Sequence, residues 1–173
     1  MAFEAVAAEV VAERPELVVF CGDLTWGPLP EETWRLIYEL PLPAIFVRGN
    51  ADRTLAEAEE PSTDRERWLL GKHSPATLHA LSEFVESATV DIAGLGPVRF
   101  CHGSPRSDEE LVTRETPEPR MRALLEGVSE RVLVTAHTHM QFDRPRPACA
   151  RSFLERPAPA EAIAHAEARA FSG

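Results

Sequence analysis

Five short apolar runs, most of them ending at Gly, Asp, Asn or His, constrain this chain more than any bulk property does. They occupy residues 17–21, 44–47, 89–92, 98–101 and 132–135. Each is too short for a helix, and most are rich in Val, Ile or Phe, so they read as buried strands. Helical patterns lie between them. Residues 3–13 place Phe3, Val6, Val10 and Val11 on one stripe. Pro30 with Glu31 and Glu32 opens a helix to residue 40, because proline and acids suit a first turn. Ser74-Pro75 caps a helix to residue 86, with Leu78, Leu81 and Phe84 spaced for burial. Thr116-Pro117-Glu118 starts another, to residue 127. The order α-β-α-β-α-β-β-α-β predicts an α/β layered fold. Residues 1–143 form one core. From Arg144-Pro145 onward, residues 144–173 are a Pro/Ala-rich tail of the same domain, with a final helix over 159–171.

Polar residues at the strand ends carry the chemistry. Gly22-Asp23 follows the first run, Gly49-Asn50-Ala51-Asp52 the second, His102-Gly103 the fourth and His137-Thr138-His139 the fifth. Ligands collect at the carboxyl ends of strands in open α/β sheets, so these side chains are expected to converge. Carboxylate, amide and imidazole donors suit manganese, iron or zinc. The three cysteines, Cys21, Cys101 and Cys149, form no CxxC pair. They support neither a thiolate zinc site nor a disulfide framework, and Cys21 and Cys101 read as small buried hydrophobes.

Composition narrows the partners. A formal net charge of -10 repels nucleic-acid phosphates and argues against a nucleic-acid partner. It does not oppose a small phosphate ester at a metal site, where the ions dominate the local field. No run approaches the roughly 18–20 apolar residues of a membrane span, and the N-terminus has no signal-peptide pattern, so the expected location is cytoplasmic. No GxGxxG or GxxxxGK[ST] loop is present, which disfavours a nucleotide-binding domain.

The segments LVVFCGDL, FVRGNADR, FCHGSPRSDEE and AHTHMQFDR, in this order, resemble the calcineurin-like metallophosphoesterases, and within them the small prokaryotic phosphodiesterases. The resemblance covers most of residues 1–143. It implies an αββα sandwich with two divalent ions, here one or two, manganese being the expected metal. It implies Asp23, Asn50, His102, His137 and His139 as metal ligands. Asp23 bridges, Asn50, His102 and His137 complete one site, and His139 belongs to the other. Asp23, Asn50 and His102 are the catalytic set. The implied reaction is hydrolysis of a small phosphate ester, a phosphodiester, by a metal-bound hydroxide.

The chain departs from that family in three places. The family's opening Asp-x-His motif is absent, which predicts an incomplete fold and impaired activity. Ala51 stands where many members carry a histidine that serves as general acid. The strands and turn that follow His-x-His in the family are not visible, which predicts an incomplete second sheet. Unpaired strand edges would favour a homo-oligomer. An interaction module without catalysis, built on the same fold, is the alternative reading. Arg48, Arg53 and Arg106 stand near the motifs and are the candidate phosphate-binding residues. Asp52 reads as a structural residue, or as one that hydrogen-bonds a ligand or a neighbouring loop and so orients the metal ligands. His73 and His79 read as surface or half-buried, and Trp26 as a pocket wall.

Overall fold

The computed structural model describes residues 2–58 and 60–145. The chain runs α1 (Ala2–Glu13), β1 (Val18–Phe20), α2 (Pro30–Tyr38), β2 (Ala44–Phe46), α3 (Asn50–Glu57), α4 (Asp64–Leu70) and α5 (Pro75–Ser82). It continues through β3 (Ser87–Ile92), β4 (Gly96–Cys101), α6 (Glu118–Leu124) and β5 (Val132–Val134). All five expected strands form. The helix expected over 159–171, and Cys149, lie outside the described residues.

Two helices were not anticipated. The first, α3, starts on the residue read as a loop ligand, Asn50. Gly49 is its extended N-cap, and the Asp52 carboxylate three residues on accepts the Gly49 N–H at 2.9 Å. The second, α4, is opened by a reciprocal cap: Thr63 Oγ1 accepts the Glu66 N–H at 3.1 Å, and the Glu66 carboxylate accepts the Thr63 N–H at 3.3 Å. Both helices are too short for apolar periodicity to show, so capping was their only legible signal. Helix α5 stops at Ser82, short of the expected residue 86. Phe84 buries, and Val85 pairs alongside Val47 as a parallel bridge.

The strands form two sheets. In one, β1 and β2 run parallel with Val18 opposite Ala44 and Phe20 opposite Phe46. In the other, β3 and β4 make an antiparallel hairpin, and β5 joins β4 in parallel with Phe100 opposite Val134. Among the described strands β1 pairs only with β2, and β5 only with β4, so each leaves one edge without a strand. The residues of β1, β2 and β5 are accordingly half-buried rather than buried as expected.

One core cluster joins Leu55, Leu69, Leu81 and Phe84, with Trp34 and Phe46 against it. The Phe46 ring stacks on Phe20 at 5.2 Å and on Phe84 at 5.1 Å, which ties the sheet to the helices. A second cluster, Val112, Met121 and Leu124, packs beside Leu125 and Phe142. The stripe on α1 is only half used. Phe3 reaches Phe20, while Val6 stays 53% exposed. Among the described residues no helix is long and apolar enough to cross a membrane.

Candidate metal centre

Strand-end loops bring the predicted ligands together. His102 follows β4 and is almost fully buried. Its Nδ1–H donates to the Cys21 carbonyl at 2.6 Å, which fixes the ring and turns Nε2 toward the other three groups. That nitrogen lies 3.1 Å from His137 Nδ1, 3.2 Å from Asn50 Oδ1 and 3.3 Å from Asp23 Oδ2. Ligand atoms of Asp23, His102 and His137 all fall within 4.8 Å of one another. One ring nitrogen cannot hydrogen-bond three such neighbours at once. Two imidazole nitrogens, an amide oxygen and a carboxylate facing inward present more lone pairs than protons. A borderline or hard divalent cation fits that donor set.

The backbone is built for close approach at this point. A Cβ on Gly49 would stand 2.3 Å from Asp23 Oδ1 and 2.5 Å from Asp23 N. A Cβ on Gly22 would stand 2.4 Å from Gly49 N and 2.8 Å from His102 Nδ1. Both positions therefore need glycine. Backbone strain gathers here too. Of the four described non-glycine residues with positive φ, three are predicted ligands: Asp23 at 58°, His137 at 64° and His139 at 53°. His137 sits in a three-residue turn closed by the Thr138 N–H to the Ala136 carbonyl at 2.7 Å, and positive φ marks the strained hand of that turn. Such outliers persist only where the surroundings over-determine them.

The charges are coupled. Burial, the largest influence on Asp23, works to raise its carboxyl. Bonds from His102 and from the Ala51 N–H at 2.9 Å, with the charges of His102 and His137, outweigh it and hold the carboxyl low. Burial likewise opposes a charged His102, but Asp23 and the Cys21 carbonyl prevail and raise it. Burial pushes the Cys21 thiol up and that of Cys101 to about 12. Cys101 is buried as expected, whereas Cys21 is only half-buried.

His139 is exposed and is not among the groups that meet within 4.8 Å. With His137 it lines an apolar cavity of about 610 Å³ whose walls include Val112, Met121, Val134 and Phe142. The three candidate phosphate-binding arginines border a polar cavity of about 200 Å³ beside His102, and each engages a carboxylate. Arg48 reaches Glu86 at 3.1 Å, Arg53 grips Asp108 through Nε at 2.6 Å and Nη2 at 3.2 Å, and Arg106 forks onto Glu110 at 2.7 and 2.8 Å.

Two residues outside the predicted ligand set hold this region. The Asp52 carboxylate, 1% exposed, accepts backbone N–H groups from both ligand loops. His73, expected at the surface or half-buried, is buried: its Nδ1–H donates to the Leu69 carbonyl and its Nε2 meets the Thr25 hydroxyl at 2.8 Å. It anchors the loop after Asp23 to α4. The Asp52 role was legible as a helix N3 acid; the Thr25–His73 bond joins residues 48 apart and left no local signal. Trp26 packs against the core cluster rather than walling the site.

The architecture matches solved structures. A hypothetical protein from Pyrococcus horikoshii OT3 superposes with a TM-score of 0.64 at 18% identity, over 78% of this chain and 62% of its own. A metallophosphoesterase from Sphaerobacter thermophilus superposes with a TM-score of 0.57 at 24% identity, over 78% of this chain and 56% of its own. At these identities the likeness is one of fold, and this chain spans less than two-thirds of either protein. No curated protein matches it. The family model for calcineurin-like phosphoesterases matches residues 2–165. With the match running over nearly the whole length, the chain belongs to the calcineurin-like phosphoesterase family.

Proposed function

We propose that the chain is a metal-dependent phosphodiesterase that hydrolyses a small phosphate ester at the Asp23, Asn50, His102 and His137 cluster, with manganese as its metal. The observation that carries this reading is the meeting of those four side chains around His102 Nε2 at 3.1–3.3 Å. A divalent ion there supplies Lewis acidity, making water nucleophilic near neutral pH and offsetting phosphoryl charge. The chain's own groups prepare the site. The Cys21 carbonyl sets the His102 tautomer, the Ala51 N–H orients Asp23, and the strained turn aims His137 inward. Asp23, Asn50 and His102 are the catalytic set. Arg48, Arg53 and Arg106 are the residues placed to meet an anionic substrate, which requires each to exchange its carboxylate for a phosphate.

Residue 51 bears only a methyl group, so no side chain there protonates a leaving group. General acid catalysis contributes about 10²–10⁴-fold, so the proposal favours esters whose alcohol leaves readily. Residues 1–143 are taken as the catalytic core, the protein as cytoplasmic and self-associating through its open strand edges, without a membrane or nucleic-acid partner. His139, which the family resemblance gives to a second ion, is not among the groups that meet within 4.8 Å, so the cluster as it stands provides for one ion. The same observation favours the second reading, an interaction module that binds an ion without turnover.

Metal content and manganese-dependent hydrolysis of bis(p-nitrophenyl) phosphate decide between them. One or two ions per chain with turnover abolished in His137→Ala supports the phosphodiesterase. Bound metal without turnover leaves the interaction module, and no bound metal removes both.

A further inference from the structure

We infer that Asp52 is the positioning residue of the metal centre: its carboxylate holds the Asp23 and Asn50 loops in ligand geometry without touching the ion. The inference rests on the metal-centre reading above. Asp52 Oδ2 accepts the Asp23 N–H at 2.7 Å and the Gly49 N–H at 2.9 Å, and Oδ1 accepts the Leu24 N–H at 3.1 Å. The N–H groups on either side of the Asp23 α-carbon thus point into one carboxylate. Successive backbone N–H groups near a left-handed residue form an anion-binding concavity, and here the anion is a side chain of the same protein. That grip accounts for the positive φ of 58° at Asp23, a conformation an L-residue rarely adopts unaided.

The grip is reciprocal. Asp52 sends its carboxylate to the Asp23 loop, and Asp23 returns its own Oδ1 to the Ala51 N–H at 2.9 Å. Two loops whose glycines touch are locked by exchanged carboxylates. Asp52 has no cationic partner in these contacts, so three backbone N–H groups carry its charge. A residue serving the helix cap alone would need only the bond to Gly49; the two bonds to Asp23 and Leu24, across 29 and 28 residues, serve the ligand loop.

Two measurements on Asp52→Asn test this. Asparagine keeps the shape but offers one accepting oxygen instead of two. In the metal-free full chain, hydrogen exchange at the Asp23 and Leu24 amides is expected to quicken about tenfold or more, while Phe100 and Val134 in the other sheet hold their rates. Calorimetric titration with Mn²⁺ is expected to show about 10–100-fold weaker binding. Unchanged exchange at Asp23 and Leu24 overturns the inference, as does Mn²⁺ affinity within about threefold of wild type. If Asp52→Asn does not fold, Asp52→Glu takes its place, since it keeps the charge and displaces the fork by one methylene. The same two losses in that variant support the inference, and failure of both variants to fold makes Asp52 a structural residue only, which overturns it. A wild-type chain that binds no Mn²⁺ sinks the metal-centre reading. The exchange result then still decides whether Asp52 positions the Asp23 loop.

Discussion

The two sides of the centre are built differently. On one side the loops after β1 and β2 interlock: Gly22 lies against Gly49, Asp23 bonds Ala51, and Asp52 bonds Asp23, Leu24 and Gly49. On the other side, the loop after β5 is tied by the Ala136 N–H to the His102 carbonyl at 2.7 Å, and it ends on exposed His139 and Met140 above an apolar cavity. The first region is fixed by directional bonds at van der Waals contact. The second is set by one backbone bond, a strained turn and the packing of Phe142 on the α6 cluster. The centre is thus held by loops that exchange carboxylates where Asp23 and Asn50 stand, and without such an exchange where His139 stands.

The sharpest way to break this contrast is to disturb the glycine contact. Gly49→Ala is expected to lose about 3 kcal/mol or more of stability, since the new methyl group meets backbone that has nowhere to move. Gly27→Ala, where a Cβ meets nothing within 4 Å, should stay within about 0.5 kcal/mol. Chemical denaturation of both variants reads the difference, and equal losses would mean the junction is not tight.

The next largest effect separates the two histidines of one motif. His137→Ala is expected to weaken Mn²⁺ binding by about 100-fold or more, beyond what loss of a supporting bond costs, and His139→Ala by less than about tenfold. Calorimetric titration measures both, and equal losses would place His139 in the same ligand set and erase the contrast.

A smaller effect is expected where Arg53 joins α3 to the loop after His102. The pair is bidentate, with side chains 28% and 22% exposed, so Arg53→Ala should cost about 1 kcal/mol. A double-mutant cycle with Asp108→Asn isolates the pair, and a coupling near zero would free Arg53 from a structural role.

The smallest effect is electrostatic. The Arg106 fork pulls the Glu110 carboxyl from an ordinary 4.5 to about 2. A lowered carboxylate stabilises fully above its unfolded value and loses that contribution as pH falls through the folded one. Because the Arg106 side chain is 54% exposed, the contribution is about 0.5 kcal/mol. Glu110→Gln should therefore be slightly less stable than wild type at pH 7, with the gap closing between pH 4.5 and about 2. A gap that persists at pH 2 would assign the loss to something other than charge.

The strands and the chemistry after them are legible in the order of residues. Short β-rich runs can be read locally, and Asp23, Asn50, His102 and His137 stand at their carboxyl ends, so convergence followed from strand topology alone. Helices α3 and α4 were not read because too few apolar positions recur in seven or eight residues, although Asp52 and Glu66 mark both caps. Packing, by contrast, settles which polar side chains are spent on the protein itself. The arginines near the motifs find carboxylates such as Asp108, 55 residues from Arg53, and His73 finds Thr25 across 48. Spacing of that kind carries no periodicity. Packing also settles that His137 joins the cluster while His139 stays exposed, a difference that a His-x-His pattern leaves open because it depends on how the loop packs against His102.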